Sequence, residues 1–244
     1  MSEIAVPMTG RAIWCLGMYA SASTWLFNVV RQVLQLAQQE KVQVAFISGK
    51  EKHLTFDGPR AVTIIKSHEV NNEDRIVDVS RNSRKILITI RDPRDAVASL
   101  MQAHGYDFDK ALGFVEQSAT LCMNFTKDRR VKLFQYETGF FEDTRTVGAV
   151  AEHLGYKLEK DVILAIYKSL TRSEVERHIQ KMPKMPGILK STETGDLLDT
   201  KTQWHSHHAG RSGEIGKWKR LLDARQVEQI KRRTDFYSAM LQVP

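Results

Sequence analysis

The sequence predicts an α/β fold in which helices cover both faces of a mostly parallel sheet. Short apolar runs alternate with longer amphipathic segments along the 244 residues, as in chains built from strand–helix–strand units. The first run, residues 13–16, is continuously apolar, which is typical of a parallel strand buried on both faces. The predicted strands are 13–17, 42–47, 62–66, 85–91 and 131–136, and the predicted helices are 24–39, 93–104, 108–127, 142–154, 158–169 and 223–242.

Length and composition predict one soluble domain that spans residues 1–244. Residues 1–10 are expected to be flexible, and residues 179–214, which have few apolar runs, are expected to form a lid loop. No segment is long and apolar enough to span a membrane, and the N-terminus lacks the order of a signal peptide. Because Cys15 and Cys122 are the only cysteines, a disulfide framework is not expected, and we expect the protein in the cytoplasm.

The formal net charge of +7 predicts an anionic partner. The positive charge is spread along the chain and no nucleic-acid-binding motif is visible, so we expect no nucleic-acid partner. A small polyanionic molecule fits the charge instead. Ligands of open parallel sheets bind at the carboxyl ends of the strands, which makes the residues after each predicted strand the candidate site.

The first predicted strand leads through a loop of mostly small residues, 17–23, into a helix that opens at Thr24. At such a helix start, free backbone N–H groups and the positive end of the helix dipole attract phosphate or sulfate. An ordinary turn capped by Ser23 or Thr24 explains this loop equally well when it is taken alone. The patterns GxxxxGKS and GxxxxGKT are absent, which argues against a small-molecule kinase.

Lys66 and His68 stand at the end of the third predicted strand. Histidine titrates near neutral pH, so His68 in a cleft is a candidate general base for a hydroxyl or an amine. Lys66 points to the same side of an extended chain and is suited to hold a transferring anionic group. A histidine in an ordinary surface loop is the alternative interpretation.

Arg91 ends the fourth predicted strand, and a helix begins just after it. Pro93 suits the first helical position, and Asp92 is suited to cap it. Arg91 and Ser99 are then expected to converge, so that a guanidinium and a hydroxyl bind a phosphate. Alternatively, Arg91 pairs with Asp95 and Ser99 only packs.

These segments together resemble the cytosolic-type sulfotransferase family. Residues 19–25, YASASTW, occupy the place of its PKSGTTW loop, and residues 66–68 match its KTH segment. Residues 91–95 with Ser99 match its RNPRD…S segment at the same spacing of eight. A YE pair at 136–137 and a segment similar to RKGxxGxW at 211–218 follow in the family's order.

The resemblance implies a three-layer fold of the P-loop nucleotide-kinase type, with a five-stranded parallel sheet. It implies transfer of a sulfuryl group from 3′-phosphoadenosine 5′-phosphosulfate (PAPS) to a hydroxyl or amine of a small molecule or glycan. The product would be adenosine 3′,5′-bisphosphate (PAP), and no metal is expected. By this resemblance, His68 deprotonates the acceptor and Lys66 stabilises the sulfuryl oxygens. The cofactor-binding residues it implies are Ser21, Ala22, Ser23, Thr24, Trp25, Arg91, Ser99, Tyr136, Arg211, Ser212 and Gly213.

The chain departs from the family pattern at three positions. The family's loop lysine, which contacts the bridging oxygen, falls on Ala20, and its loop glycine falls on Ala22. Losing one charge-assisted contact at a developing negative charge costs about 3 kcal/mol, or roughly a hundredfold in rate. Ser212 replaces a lysine, which weakens binding of the 3′-phosphate. A weakly active or non-catalytic PAP-binding protein is therefore the alternative function.

Three histidines lie within four residues at 205–208. This spacing raises the possibility of a zinc site, but no cysteine lies nearby and no helix is expected to order the histidines. The sequence therefore favours a mobile lid and predicts no metal site.

Overall fold

A computed structural model describes residues 12–37, 42–47, 62–69, 79, 83–192, 194–208 and 213–238. Five parallel strands form the central sheet in the order β2-β3-β1-β4-β5, which confirms the predicted fold class. The strands are β1 (Ala12–Gly17), β2 (Val42–Ile47), β3 (Val62–Ser67), β4 (Ser83–Ile90) and β5 (Val131–Gln135). The residues predicted to be flexible, 1–10, lie outside the described part of the chain.

The position of each strand in the sheet follows from its side chains. β1 and β3 are buried along their whole length, as strands with a neighbour on each side should be. β2 lies at one edge and is mostly half-buried. The strand pairing places Leu16 opposite Ser67 and Gly17 opposite Thr89, so three strands end at one edge of the sheet.

Helices cover both faces of the sheet. One face packs against α1 (Ser23–Ala37), α4 (Thr144–Leu154) and α5 (Lys160–Ser169), through buried residues that include Val29, Val150 and Ile166. The other face packs against α2 (Pro93–His104), α3 (Phe108–Phe125) and α8 (Ala224–Ser238), through residues that include Val97 and Val115. These are the three layers that the sequence predicts.

The start of α2 forms as the sequence predicts. Pro93 is its first residue, and the Asp92 side chain accepts a hydrogen bond from the backbone N–H of Arg94 at 2.9 Å. The helix ends at His104, and the left-handed φ of 65° at the following cap residue, Gly105, suits a residue without a Cβ. Both ends of the helix are thus fixed by local residues.

The stretch predicted as a lid loop carries regular structure in its described part. α6 (Arg172–Lys181) enters it, and β6 (Ile188–Lys190) and β7 (Leu197–Asp199) form an antiparallel hairpin. α6 was not predicted, because Val175 and Ile179 are its only buried residues and the helix is otherwise polar. Strands of three residues are likewise too short to show a period of two. Closure of this region as a lid remains a prediction.

Short helices complete the described chain. α7 (Trp218–Leu221) precedes α8, and 3₁₀ turns lie at Tyr136–Thr138, Phe140–Glu142, Met182–Lys184 and Ser206–His208. Thr234 interrupts α8 with non-helical dihedral angles. Within the described ranges, no helix combines the length and the apolar character needed to cross a bilayer.

Candidate active site

The loop after β1 passes very close to the neighbouring strand β4. A Cβ added to Gly17 would lie 2.4 Å from Thr89 Oγ1 and 2.7 Å from Ser23 Cβ. The hydroxyl of Ser21 lies 2.6 Å from Thr89 Oγ1 and donates to the carbonyl oxygen of Met18 at 2.5 Å. Glycine at position 17 therefore allows the loop to be held against the end of the sheet.

Two alanines in this loop adopt left-handed backbone conformations. The φ of Ala20 is 59° and that of Ala22 is 61°. Such a conformation costs a residue with a Cβ about 1–2 kcal/mol, so contacts elsewhere must hold it. Arg91 supplies one of them, since its Nη1 donates to the carbonyl oxygen of Ala20 at 2.9 Å. Ala22, which replaces the family's glycine, thus keeps a glycine-like backbone.

The loop delivers the amino end of α1 to the carboxyl edge of the sheet. The first helical hydrogen bond joins the N–H of Leu26 to the carbonyl oxygen of Ala22 at 3.1 Å. The N–H groups of residues 23–25 precede this bond and have no partner within the helix. This helix end carries positive partial charge and can bind an anionic group.

His68 is fixed beside this helix end with one ring nitrogen available. Its Nδ1 lies 2.7 Å from the carbonyl oxygen of Gly17, which can only accept, so Nδ1 carries the proton. Nε2 is then unprotonated, and it lies 3.2 Å from Lys66 Nζ and 3.4 Å from Ser23 Oγ. The ring can therefore take a proton at Nε2.

Burial sets the charges of this pair. It lowers the pKa of His68 well below its usual value, and the positive charge of Lys66 lowers it further, although the hydrogen bond to Gly17 acts in the opposite direction. Burial also lowers the pKa of Lys66 to about 8. At neutral pH the site holds a neutral imidazole next to an ammonium group.

Tyr19 is a site residue to which sequence reasoning gave no role. Its ring stacks on His68 with centroids 4.5 Å apart, and its hydroxyl donates to Glu69 Oε1. Burial and this hydrogen bond raise the pKa of Tyr19. Tyr19 occupies the loop position of the family's proline, and only the tertiary contact reveals that it supports the imidazole ring.

Arg91 joins several parts of the site. Its guanidinium lies 4.0 Å from the centre of the Tyr136 ring and donates to the carbonyl oxygen of Glu214 at 3.0 Å. Nη1 lies 3.4 Å from Ser99 Oγ, as predicted, and Nη2 lies 3.9 Å from Asp95 Oδ2. Asp95 and Ser99 therefore flank the same guanidinium, and phosphate binding by Arg91 and Ser99 stays a prediction.

The loop before α7 closes over Arg91. The Tyr136 hydroxyl donates to the carbonyl oxygen of Gly213 at 2.8 Å. Asp95 accepts from the backbone N–H groups of Gly216 and Trp218 at 2.6 and 3.1 Å. These contacts bring the predicted residues Arg91, Ser99, Tyr136 and Gly213 together, whereas Arg211 and Ser212 lie outside the described residues.

Trp25 lies on the inner side of α1. Its indole Nε1 donates to the carbonyl oxygen of Leu170 at 3.0 Å, and its ring meets Phe140 edge-on at 5.9 Å. The side chain is 6% exposed. The predicted role of Trp25 in cofactor binding therefore stays a prediction.

The three histidines at 205–208 are ordered by the 3₁₀ turn Ser206–His208. His208 Nδ1 accepts a hydrogen bond from the backbone N–H of His205 at 3.1 Å. Burial lowers the pKa of His208 well below its usual value, and the neighbouring His207 and His205 and the positive charge of Lys66 lower it further. The turn after β7 thus reaches the neighbourhood of the candidate base.

Comparison with known proteins shows the family to which this chain belongs. A model of the sulfotransferase domain matches residues 11–242. The chain belongs to the sulfotransferase family. A search of curated proteins by sequence gave no significant match.

Solved sulfotransferase-like structures share the fold at low sequence identity. A mouse sulfotransferase complexed with PAP superposes with a TM-score of 0.64 and 14% identity, covering 95% of this chain and 87% of that chain. A retinol dehydratase complexed with androsterone and inactive cofactor PAP gives a TM-score of 0.61 and 14% identity, covering 98% and 83%. The same enzyme with retinol and PAP gives 0.63 and 14%, covering 98% and 84%.

Proposed function

We propose that this sulfotransferase-family protein moves a sulfuryl group from PAPS to a hydroxyl or amine, with His68 as general base. The observation that carries the proposal is the position of His68 Nε2, 3.2 Å from Lys66 Nζ and 3.4 Å from Ser23 Oγ. A base, a cation and the amino end of α1 converge there. That combination suits proton removal from an acceptor next to a bound anion.

The residues around Arg91 fit a second anionic group. Arg91 Nε is buried and has no hydrogen-bond partner among the described residues, and the side chain is 3% exposed. A buried guanidinium with an unused donor is costly unless a ligand satisfies it. Arg91 with Ser99 would hold the 3′-phosphate of PAPS, and the N–H groups at the start of α1 would hold its 5′-phosphosulfate.

The chain's own groups supply the proton transfer and the charge. PAPS, when bound, supplies the sulfuryl group. His68 accepts the acceptor's proton at Nε2, while Nδ1–H stays on the carbonyl oxygen of Gly17 and the Tyr19 ring fixes the imidazole plane. The Lys66 ammonium stabilises negative oxygens next to Nε2.

A small molecule is the acceptor class we propose. The retinol dehydratase complexes contain androsterone and retinol as well as PAP, so this fold admits small apolar compounds beside the nucleotide. For this chain we propose a small alcohol, phenol or amine. We place the activity in the cytoplasm, because Cys15 and Cys122 are buried free thiols.

Labelled transfer tests this function. Purified protein is incubated with ³⁵S-labelled PAPS and a panel of alcohols, phenols, amines and sugars. We expect a labelled product with at least one acceptor, and a fall of roughly a hundredfold or more for His68→Ala. His178→Gln on α6 is the matched control and should keep its rate. Transfer that His68→Ala leaves intact would exclude His68 as the base.

A PAP-binding protein with little or no catalysis is the second candidate, and Ala20 motivates it. This function predicts tight PAP binding by calorimetry and no labelled product with any acceptor. A preference for adenosine triphosphate over PAPS in the same titration would contradict both candidates and favour a kinase.

A further inference from the structure

Three side chains with metal-ligating atoms meet beside the hairpin of β6 and β7. Asp196 directly precedes β7, and His205 and His207 follow that strand. One ligand atom from each lies within 4.8 Å of the others. His205 Nδ1 is 2.7 Å and His207 Nδ1 is 2.9 Å from the same carboxylate oxygen, Asp196 Oδ2.

A separate set of hydrogen bonds holds these side chains in place. Asp196 Oδ1 accepts from the Ser206 hydroxyl and, at 3.2 Å, from the backbone N–H of His207. The Ser206 hydroxyl in turn accepts from the backbone N–H of Leu197 at 3.0 Å. Oδ1 is therefore engaged by the turn, and Oδ2 faces the two imidazole rings. Supporting contacts of this kind fix the ligands of metal sites.

We propose that Asp196, His205 and His207 bind one divalent transition-metal ion, with Zn²⁺ the best fit. Imidazole nitrogen and carboxylate oxygen are ligands of Zn²⁺, with bonds of about 2.0–2.2 Å. Ligand atoms around a tetrahedral ion of that size are about 3.3 Å apart. The two Nδ1–Oδ2 distances, 2.7 and 2.9 Å, need to widen by only about half an ångström.

The chemistry balances without another reactant. In each neutral imidazole, the proton that now faces Asp196 moves from Nδ1 to Nε2, and Nδ1 binds the ion. The ion replaces two N–H···O hydrogen bonds with two Nδ1–metal bonds and one Oδ2–metal bond. Its second positive charge is matched by a counterion, or by a hydroxide that forms when bound water releases a proton to the solvent.

Open space lies next to two of the three proposed ligands, Asp196 and His207. A cleft of about 370 Å³ lies against this cluster, lined by Ala103, His104, Thr194, Gly195, Asp196, Ser206 and His207. Three protein ligands with one open position are typical of zinc sites that bind a water or a small molecule. The proposed ion would therefore carry a water or a small ligand from this cleft.

The ion would also tie together the two ends of the segment 196–207. The sequence raised the possibility of zinc at the histidines of 205–208 but predicted no metal site, and it gave no sign of Asp196, which lies nine residues before His205. The proposal departs from that prediction. The proposal does not depend on sulfuryl transfer, since no ligand of the ion takes part in that proposed chemistry.

Metal titration of the untagged full chain tests the site. The protein is treated with a chelator, dialysed and titrated with Co²⁺ and then with Zn²⁺. We expect one equivalent of Co²⁺ to give visible d–d absorption bands, which Zn²⁺ then abolishes. Asp196→Asn and His205→Gln should each weaken Zn²⁺ binding tenfold or more, as measured by calorimetry.

A second histidine–carboxylate pair provides the matched control. His178 Nε2 lies 2.9 Å from Asp199 Oδ2, but this pair contains a single histidine. His178→Gln should leave Zn²⁺ affinity unchanged. Equal binding by wild type and Asp196→Asn would overturn the proposal. The absence of Co²⁺ bands in the wild-type protein would also overturn the proposal, because the three side chains would then form a hydrogen-bonded cluster only. This measurement does not depend on the folding of any variant.

Discussion

The two regions proposed to bind anions differ in how they carry positive charge. Near Arg91, a buried guanidinium faces Ser99 and the ring of Tyr136. In the loop before α1, position 20 is an alanine, and the N–H groups of the helix start remain. Under the proposed function, side-chain charge is present where the 3′-phosphate would bind and absent at position 20, where the leaving group would develop charge. Binding and catalysis should then respond to different substitutions.

The largest effect is expected when a positive charge is restored at position 20. We expect Ala20→Lys to raise the sulfuryl-transfer rate by roughly a hundredfold, because a cation would again face the developing negative charge. The left-handed φ of 59° already strains alanine, so lysine adds little backbone cost. Initial rates with labelled PAPS measure the effect.

The control for this test adds the same charge elsewhere. Ser173 is an exposed residue on α6, and Ser173→Lys should leave the rate unchanged. If Ala20→Lys also leaves it unchanged, another cation already serves the leaving group. Lys66, beside His68, is then the first residue to test.

The next test removes the planar donor group near Ser99. Arg91→Lys keeps a charge but loses the guanidinium's fixed set of donors, so we expect PAP affinity to fall roughly thirtyfold. Affinity for adenosine 5′-monophosphate should fall much less, because that ligand lacks a 3′-phosphate. Calorimetry with both nucleotides measures the ratio, and Arg94→Lys is the neighbouring control. Equal losses for both ligands would mean that Arg91 acts only on the fold.

The transfer rate and PAP affinity should differ in their pH dependence. Because burial lowers the pKa of Lys66 to about 8, its charge is present below that pH and is lost above it. We expect the transfer rate to fall above pH 8, by about tenfold per unit in the limit. PAP affinity, which depends on Arg91, should stay level over the same range.

Stability should respond to Lys66 with the opposite sign. The unfolded chain binds this proton up to a pKa near 10.4 while the folded chain releases it near 8, so the Lys66 contribution to stability rises between these values. Lys66→Met should remove that contribution in urea unfolding. An unchanged pH dependence in Lys66→Met would assign the effect to another group.

The smallest effect concerns the hydroxyl beside Arg91. Ser99 Oγ lies 3.4 Å from Arg91 Nη1, a long hydrogen bond. We expect Ser99→Ala to weaken PAP binding by about threefold, as for one modest hydrogen bond, and to leave the transfer rate at saturating PAPS unchanged. A loss above about thirtyfold would give Ser99 a direct share in phosphate binding equal to that of Arg91.

The sequence by itself determined the sheet, most helices and the order of the site segments. Continuous apolar runs and helical spacing are local signals, so the five strands and the start of α2 are confirmed close to their predicted bounds. The motifs around His68 and Arg91 indicated the family for the same reason: each is a short run of neighbouring residues. The departure at Ala20 was equally visible in the sequence.

Only the tertiary structure decided which distant side chains share a site. The stacking of Tyr19 on His68 joins residues that lie 49 positions apart in the chain. Asp196 meets His205 and His207 because the chain turns back after β7 and Leu198 forms an antiparallel bridge with His205. β7 has three residues, which is too short for a periodic signal. Such contacts depend on how the folded chain turns and packs, and local sequence patterns do not predict them.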